Sequence, residues 1–141
     1  MTTTPVSLDL DSTTLERLDE RERETGQSRS ELAQRYIEEG LRMERHPGIV
    51  FRDGPSGRRP TLRGGPDVWE MVPEIQGVAL DDEEEIGAIA AWMAMSPCQV
   101  KDAVAYYAEF PEEIDAWVER NERLADEHRA AWRAERGLPS E

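Results

Sequence analysis

Cysteine is almost missing from this chain. Cys98 stands alone in 141 residues, so no intrachain disulfide can form. Histidine is equally scarce, and His46 and His128 lie too far apart in sequence to share a zinc-ligand motif. No run of about 18 apolar residues exists, which excludes a membrane-spanning helix. The N-terminal Met-Thr-Thr-Thr-Pro has neither the positive start nor the apolar stretch of a signal peptide. Phosphate-binding loops, nucleophile elbows and metal-ligand spacings are also missing. The many carboxylates lie in runs such as Asp81–Glu85 and Glu112–Glu113, where a solvated helix start explains them without an active site. The expectation is a cytoplasmic protein that is not an enzyme, with no metal, no cofactor and no membrane partner.

Positive charge is in short supply too. Seventeen basic residues face thirty-one acidic ones for a net charge of −14, a balance that keeps a protein off nucleic acid unless the charge is unevenly placed. It is uneven. Residues 1–45 hold seven arginines and eleven acids, residues 46–66 four arginines and one acid, and residues 67–141 six bases and nineteen acids. Any DNA contact therefore belongs to the first 66 residues, and the acidic remainder suits a basic partner.

The first 45 residues are the most informative. Val6-Ser7-Leu8-Asp9-Leu10 alternates apolar and polar residues with the period of a strand. A helix opens at Asp11-Ser12-Thr13-Thr14, carries Leu15 and Leu18, and breaks at Thr25-Gly26-Gln27. Ser28-Arg29-Ser30-Glu31 is a capping-box pattern for a second helix, whose Leu32, Tyr36, Ile37 and Leu41 share one face. One strand has no ladder partner, and two short helices bury too little apolar surface to fold alone. The unit therefore calls for a homodimer: Val6, Leu8 and Leu10 of two copies pair antiparallel over a core that includes Tyr36 and Ile37. Ser7 and Asp9 then face outward.

In this order of elements the segment resembles the ribbon-helix-helix (CopG/Arc-like) repressors and antitoxins, through V-S-L-D-L-D, L-E-R-L-D, T-G-Q-S-R-S-E-L and I-E-E-G-L-R. The resemblance spans residues 5–45. It implies a two-stranded ribbon in the major groove of operator DNA, with Ser7 and Asp9 at the base-reading positions. An aspartate can accept from cytosine N4, yet it repels phosphate. Ser28, Arg29 and Ser30 at the start of the second helix are the expected phosphate contacts. An ordinary helix cap explains Ser28 and Glu31 equally well when they are taken alone.

Residues 46–66 turn from helical to extended. Ile49-Val50-Phe51 and Pro60-Thr61-Leu62 flank the turn-rich Asp53-Gly54-Pro55-Ser56-Gly57, which predicts a short hairpin with Pro60 on an edge. Arg52, Arg58, Arg59 and Arg63 gather on it. The first three are candidate DNA contacts, as on a wing; the plainer use of the cluster is to offset the acidic helices that follow. Helices resume after Pro66: Asp67-Val68-Trp69-Glu70 has a capping pattern cut short by Pro73, Asp81–Glu85 opens the next with Ile86, Ile89, Ala90 and Met93 on one face, and Ser96-Pro97 caps a third. That is a helix-turn-helix outline. Its exposed Gln99, Lys101 and Asp102 make a poor DNA reader, so a structural role is the better reading. H-P-G-I-V, G-R-R-P-T-L, D-V-W-E-M-V and M-S-P-C-Q-V-K-D-A-V-A-Y-Y-A-E-F-P are similar to a helix-turn-helix-like family of VapB-type antitoxins that partner PIN-like ribonuclease toxins. The similarity runs over residues 46–115.

A long helix closes the chain, from Pro111 until Gly137 ends it. At 1.5 Å per residue it reaches about 40 Å, beyond a small domain, so part of it protrudes. Trp117, Leu124, His128 and Trp132 are the residues expected to meet a partner, with Asn121 and His128 at heptad spacing from Ile114. His128 is a seam or surface residue rather than a catalyst.

The fold class is thus mainly α, in three parts: residues 1–45 as a ribbon-helix-helix dimer unit, 46–110 as a hairpin with a small helix-turn-helix-like domain, and 111–141 as a long partner-binding helix. The function implied is an antitoxin that represses its own operon and neutralises a PIN-like endoribonuclease through its acidic half. A ribbon-helix-helix transcriptional regulator with no toxin partner is the alternative.

Overall fold

The computed structural model describes residues 2–139 and is mainly helical, with six α-helices and one two-stranded antiparallel sheet. No helix among these residues is long and apolar enough to cross a membrane. The chain divides into two compact units, residues 1–44 and 45–141. The long last helix belongs to the second unit rather than standing apart, because its residues Ile114 and Trp117 are buried. The first boundary falls where the sequence expects it, at residues 44 and 45.

In the first unit α1 spans Ser12–Thr25 and α2 begins at Arg29, running to Arg45. The carboxylate of Asp11 accepts from the Thr14 N–H at 2.7 Å, capping α1, which ends where Gly26 takes φ 72°. That left-handed turn favours glycine, which has no Cβ to strain there. At the start of α2 the capping box forms as the sequence predicts: the Glu31 N–H donates to Ser28 Oγ at 3.1 Å, and the Ser28 N–H donates to Glu31 Oε2 at 3.3 Å. Residues 2–10 adopt no regular structure in the single chain.

The second unit opens with the hairpin, β1 (Ile49–Arg52) against β2 (Arg59–Leu62), in the register Ile49 opposite Leu62 and Phe51 opposite Pro60. Both strands are edges, which is where Pro60 is tolerated. A 3-10 turn, Val68–Met71, leads into the one-turn α3, Val72–Ile75, with Pro73 in its first turn, so proline starts a short helix here rather than kinking a long one. The helices α4 (Glu83–Met93), α5 (Pro97–Glu109) and α6 (Pro111–Glu135) follow. Ser96 and Gln99 complete a full capping box at the start of α5. Ile49, Leu62, Val68, Met71, Ile86, Val100, Tyr106 and Ile114 are almost wholly buried and form one core from hairpin and helices together.

Asp67 does not cap the 3-10 turn, as its spacing from Glu70 suggests. It is 7% exposed, and its carboxylate accepts from Thr61 Oγ1 at 2.8 Å, from Trp69 Nε1 at 3.1 Å and from Arg59 Nε. A buried carboxylate is tolerable only when paired and hydrogen-bonded, and here three donors meet that demand. The face of α5 weighed as a DNA reader is likewise used internally. Gln99 serves the capping box, Lys101 Nζ donates to Glu83 at 2.8 Å, and Asp102 lies so close to Gly48 that a Cβ there would stand 2.0 Å from its carboxylate oxygen. Burial raises the Asp102 pKa above the ordinary aspartate value, against the opposing charge of His46.

Asp67→Ala strands Arg59 and removes the acceptor of two further donors. Breaking a buried ion pair from one side costs about 3 kcal/mol or more, which for a unit of this size lowers Tm by at least about 10 °C. Thermal denaturation followed by circular dichroism measures it; a Tm within about 2 °C of wild type contradicts the role given to Asp67.

Candidate functional site

The first unit buries few of its apolar side chains. Leu18 and Leu32 are enclosed, whereas Val6 is 75% exposed, Leu8 61% and Ile37 49%, with Leu10, Tyr36 and Leu41 also in solvent. The exposed groups are not scattered. Leu8, Leu10, Leu18, Ala33, Tyr36 and Ile37 line one open apolar groove of about 480 Å³, together with Arg17 and Arg21. Arg21 Nε donates to Tyr36 Oη at 3.4 Å, and this bond holds the Tyr36 phenol below its ordinary pKa. The structure thus brings together Leu8, Leu10, Tyr36 and Ile37, four of the five residues expected to dimerise, around one open hollow, while Val6 does not line it.

Ser7 and Asp9 are exposed on the extended segment that bears Val6, Leu8 and Leu10. Ser28, Arg29 and Ser30 are exposed as well, but the start of α2 is not vacant. The Arg29 N–H donates to Glu22 Oε2, and the Arg29 guanidinium donates twice to Asp19 Oδ1, at 2.6 and 3.1 Å. Two carboxylates of α1 therefore hold the donors that a phosphate would use. Nothing in the local spacing revealed this, because the partners are seven and ten residues apart across the Gly26 turn.

The hairpin arginines separate into distinct roles. Arg52 is exposed at the end of β1, and Arg58 Nη1 lies 3.3 Å from Asp53. Arg59 is committed to Asp67 and is removed from the set of DNA contacts: its charge is neutralised inside the fold.

The partner-binding set on α6 also divides. Trp117 is 7% exposed, with the Arg120 guanidinium 4.4 Å above its ring and Arg120 Nη1 donating to the Ser56 carbonyl at 3.4 Å. It anchors the helix to the body and is withdrawn as a partner contact. With Trp69, Arg59 and Asp67 it borders a small polar cleft of about 140 Å³, closed on one side by Asn121, whose Nδ2 donates to the Trp117 carbonyl at 2.8 Å. Leu124 is half-buried, while His128 and Trp132 are exposed, Arg136 lying 4.5 Å over the Trp132 ring.

Charge sorts differently from the elements. Positions 67–118 carry thirteen acids and one lysine, whereas positions 119–136 carry five acids and five arginines. The protruding part of α6 is therefore neutral, and the acidic character lies on the helices before it. Trp92, which the sequence offers with Trp69 only as the fallback should the last helix not carry the partner contact, is 78% exposed at the end of α4. At about 100° per residue it falls beside Ala88 and Glu85, off the centre of the stripe made by Ile86, Ile89, Ala90 and Met93, and that signal was available in the sequence. Among the described residues no group of three or more histidine, cysteine, aspartate or glutamate side chains is arranged to hold a metal ion, and Cys98 is exposed.

Trp117→Ala removes a buried indole and costs about 3 kcal/mol or more, whereas Trp132→Ala changes stability by about 0.5 kcal/mol or less. Urea denaturation of the two variants distinguishes them, and equal losses contradict the division of α6 drawn here. No protein-family model, curated protein or solved structure matches this chain.

Proposed function

We propose that the chain is a dimeric ribbon-helix-helix antitoxin that represses its own operon and neutralises a basic, PIN-like endoribonuclease. One observation carries the reading: an alternating apolar segment, Val6–Leu10, lies exposed beside an unfilled apolar groove in a unit that encloses only two leucines of its own. Burial of apolar surface drives folding, and a unit so incomplete calls for a second copy of itself. Antiparallel pairing of two such segments gives each backbone the ladder partner it lacks, turns Val6, Leu8 and Leu10 inward over Tyr36 and Ile37, and leaves Ser7 and Asp9 facing out for the major groove.

Phosphate contact then proceeds by exchange. The Arg29 guanidinium and the amides at the start of α2 leave Asp19 and Glu22 for the DNA backbone, so binding is weak at high salt and its affinity is tuned by the acids displaced. The acidic second unit holds a basic partner away from RNA. Asp9, which repels phosphate, and the neutral outer part of α6 favour the second reading, a regulator with no toxin partner.

Light scattering on the full chain tests the first step. A dimer is expected for the wild type and its loss for Leu8→Pro, since proline removes a ladder donor; a wild-type monomer overturns the reading. In a gel shift on the protein's own promoter, Glu22→Gln raises affinity about fivefold, the size of a helix-terminus charge effect. Arg29→Ala lowers affinity for all sequences alike and reduces the salt slope by about one. If neither variant moves the midpoint, α2 does not meet DNA. Co-expression with the product of the adjacent reading frame separates the two readings: rescue from toxicity supports the antitoxin, and its absence supports the plain regulator.

A further inference from the structure

The second unit contains all four tryptophans, and three of them have work within it. Trp117 is buried, Trp69 donates to Asp67, and Trp132 lies under Arg136. Trp92 has no such role. It is 78% exposed and takes part in no ring–ring or cation–ring contact among the described residues. Nor does the core need it, because α4 buries Ile86, Ile89 and Ala90. At about 100° per residue Glu84, Glu85, Ala88, Ala91 and Trp92 fall together on the opposite face of α4, and all five are exposed. Two alanine methyls beside an open indole make a flat apolar platform with a single large anchor, and aromatic anchors of this kind carry most of the energy of protein interfaces.

The platform has a charged rim. The one lysine among positions 67–118, Lys101, is held by Glu83 at 2.8 Å, and no cation among the described residues pairs with Glu84 or Glu85. We propose that this outward face of α4 is a docking surface for a basic partner protein, with Trp92 as its anchor and Glu84 and Glu85 as its rim. Nucleic acid is repelled by the acids. A second copy of the chain brings the same acids against these, and a neutral protein buries them without a counter-charge. A basic protein meets both demands: arginine or lysine side chains stack over the indole and pair with the two carboxylates, and the long-range field of the acidic helices steers the encounter. The inference rests on the preceding reading for the identity of the partner, and it places the contact on α4 rather than on the neutral outer part of α6.

The test uses the full chain and the product of the adjacent reading frame, with binding measured by calorimetry at low and high salt. Trp92→Ala weakens the complex at least tenfold with its thermal melting unchanged, since the side chain lies outside the core. Glu84→Gln combined with Glu85→Gln weakens it several-fold and flattens its salt dependence. Trp132→Ala stays within twofold of wild type. If the wild type binds and Trp92→Ala binds within twofold of it, the α4 surface is overturned while the reading of the partner stands. If the wild type does not bind, the antitoxin reading and this inference fall together, whatever the gel shift on promoter DNA shows.

Discussion

The second unit depends on how one carboxylate is kept out of water. Asp67 sits between β2 and the 3-10 turn, and its donors come from both sides: Arg59 and Thr61 from the strand, Trp69 from the turn. Without them the charge is costly to bury; with them it ties the hairpin to the helices that follow. Leu62 and Val68, each next in the chain to a member of this cluster, are wholly buried. A slip of one residue in β2 would turn Thr61 away from Asp67 and place Arg59 on the other face, so the same interaction that neutralises the charge also fixes the register. It has a functional consequence as well. With Arg59 paired to Asp67, the hairpin has less uncompensated positive charge than its composition suggests.

The first unit is under the opposite constraint. Its hydrogen bonds are largely satisfied by caps and by ion pairs across the Gly26 turn, yet its apolar side chains are not. Leu18 and Leu32 alone are too little hydrophobic burial to offset the entropy of ordering two helices. Under the proposed dimer the remaining burial comes from a second copy. The alternation of Val6, Leu8 and Leu10 on a segment with free backbone groups indicates the form of that help, since a strand beside a matching strand satisfies hydrogen bonds and apolar groups at once.

Much of the fold was legible because its signals are local. Ser28 with Glu31, and Ser96 with Gln99, are three residues apart, and a capping box involves nothing more distant. The hairpin could be read from two apolar runs around a glycine- and proline-rich turn, and the start of α6 from Pro111. The misreadings came where the deciding partner lies further off. Asp67 has the spacing of a cap to Glu70, but donors six and eight residues upstream take it instead. Arg29 looks like a free phosphate ligand until α1 folds back and presents Asp19 and Glu22. Trp117 and Trp132 share a helix, and only the place where the body ends decides which is buried.

Two kinds of exposed apolar surface result, and they differ in what can cover them. The groove of the first unit is broad and largely apolar, and of the two arginines on its lining Arg21 is paired with Glu24 at 2.7 Å, so its surface is dominated by apolar groups rather than by charge of one sign. The face of α4 is narrow, with one indole next to unpaired carboxylates, so a like surface is repelled. If both proposals hold, charge directs self-association and partner capture to different surfaces. Under the proposed function the same segregation would confine DNA to the arginine-bearing first 66 residues, because positions 67–118 carry thirteen acids against one lysine and their net field repels phosphate.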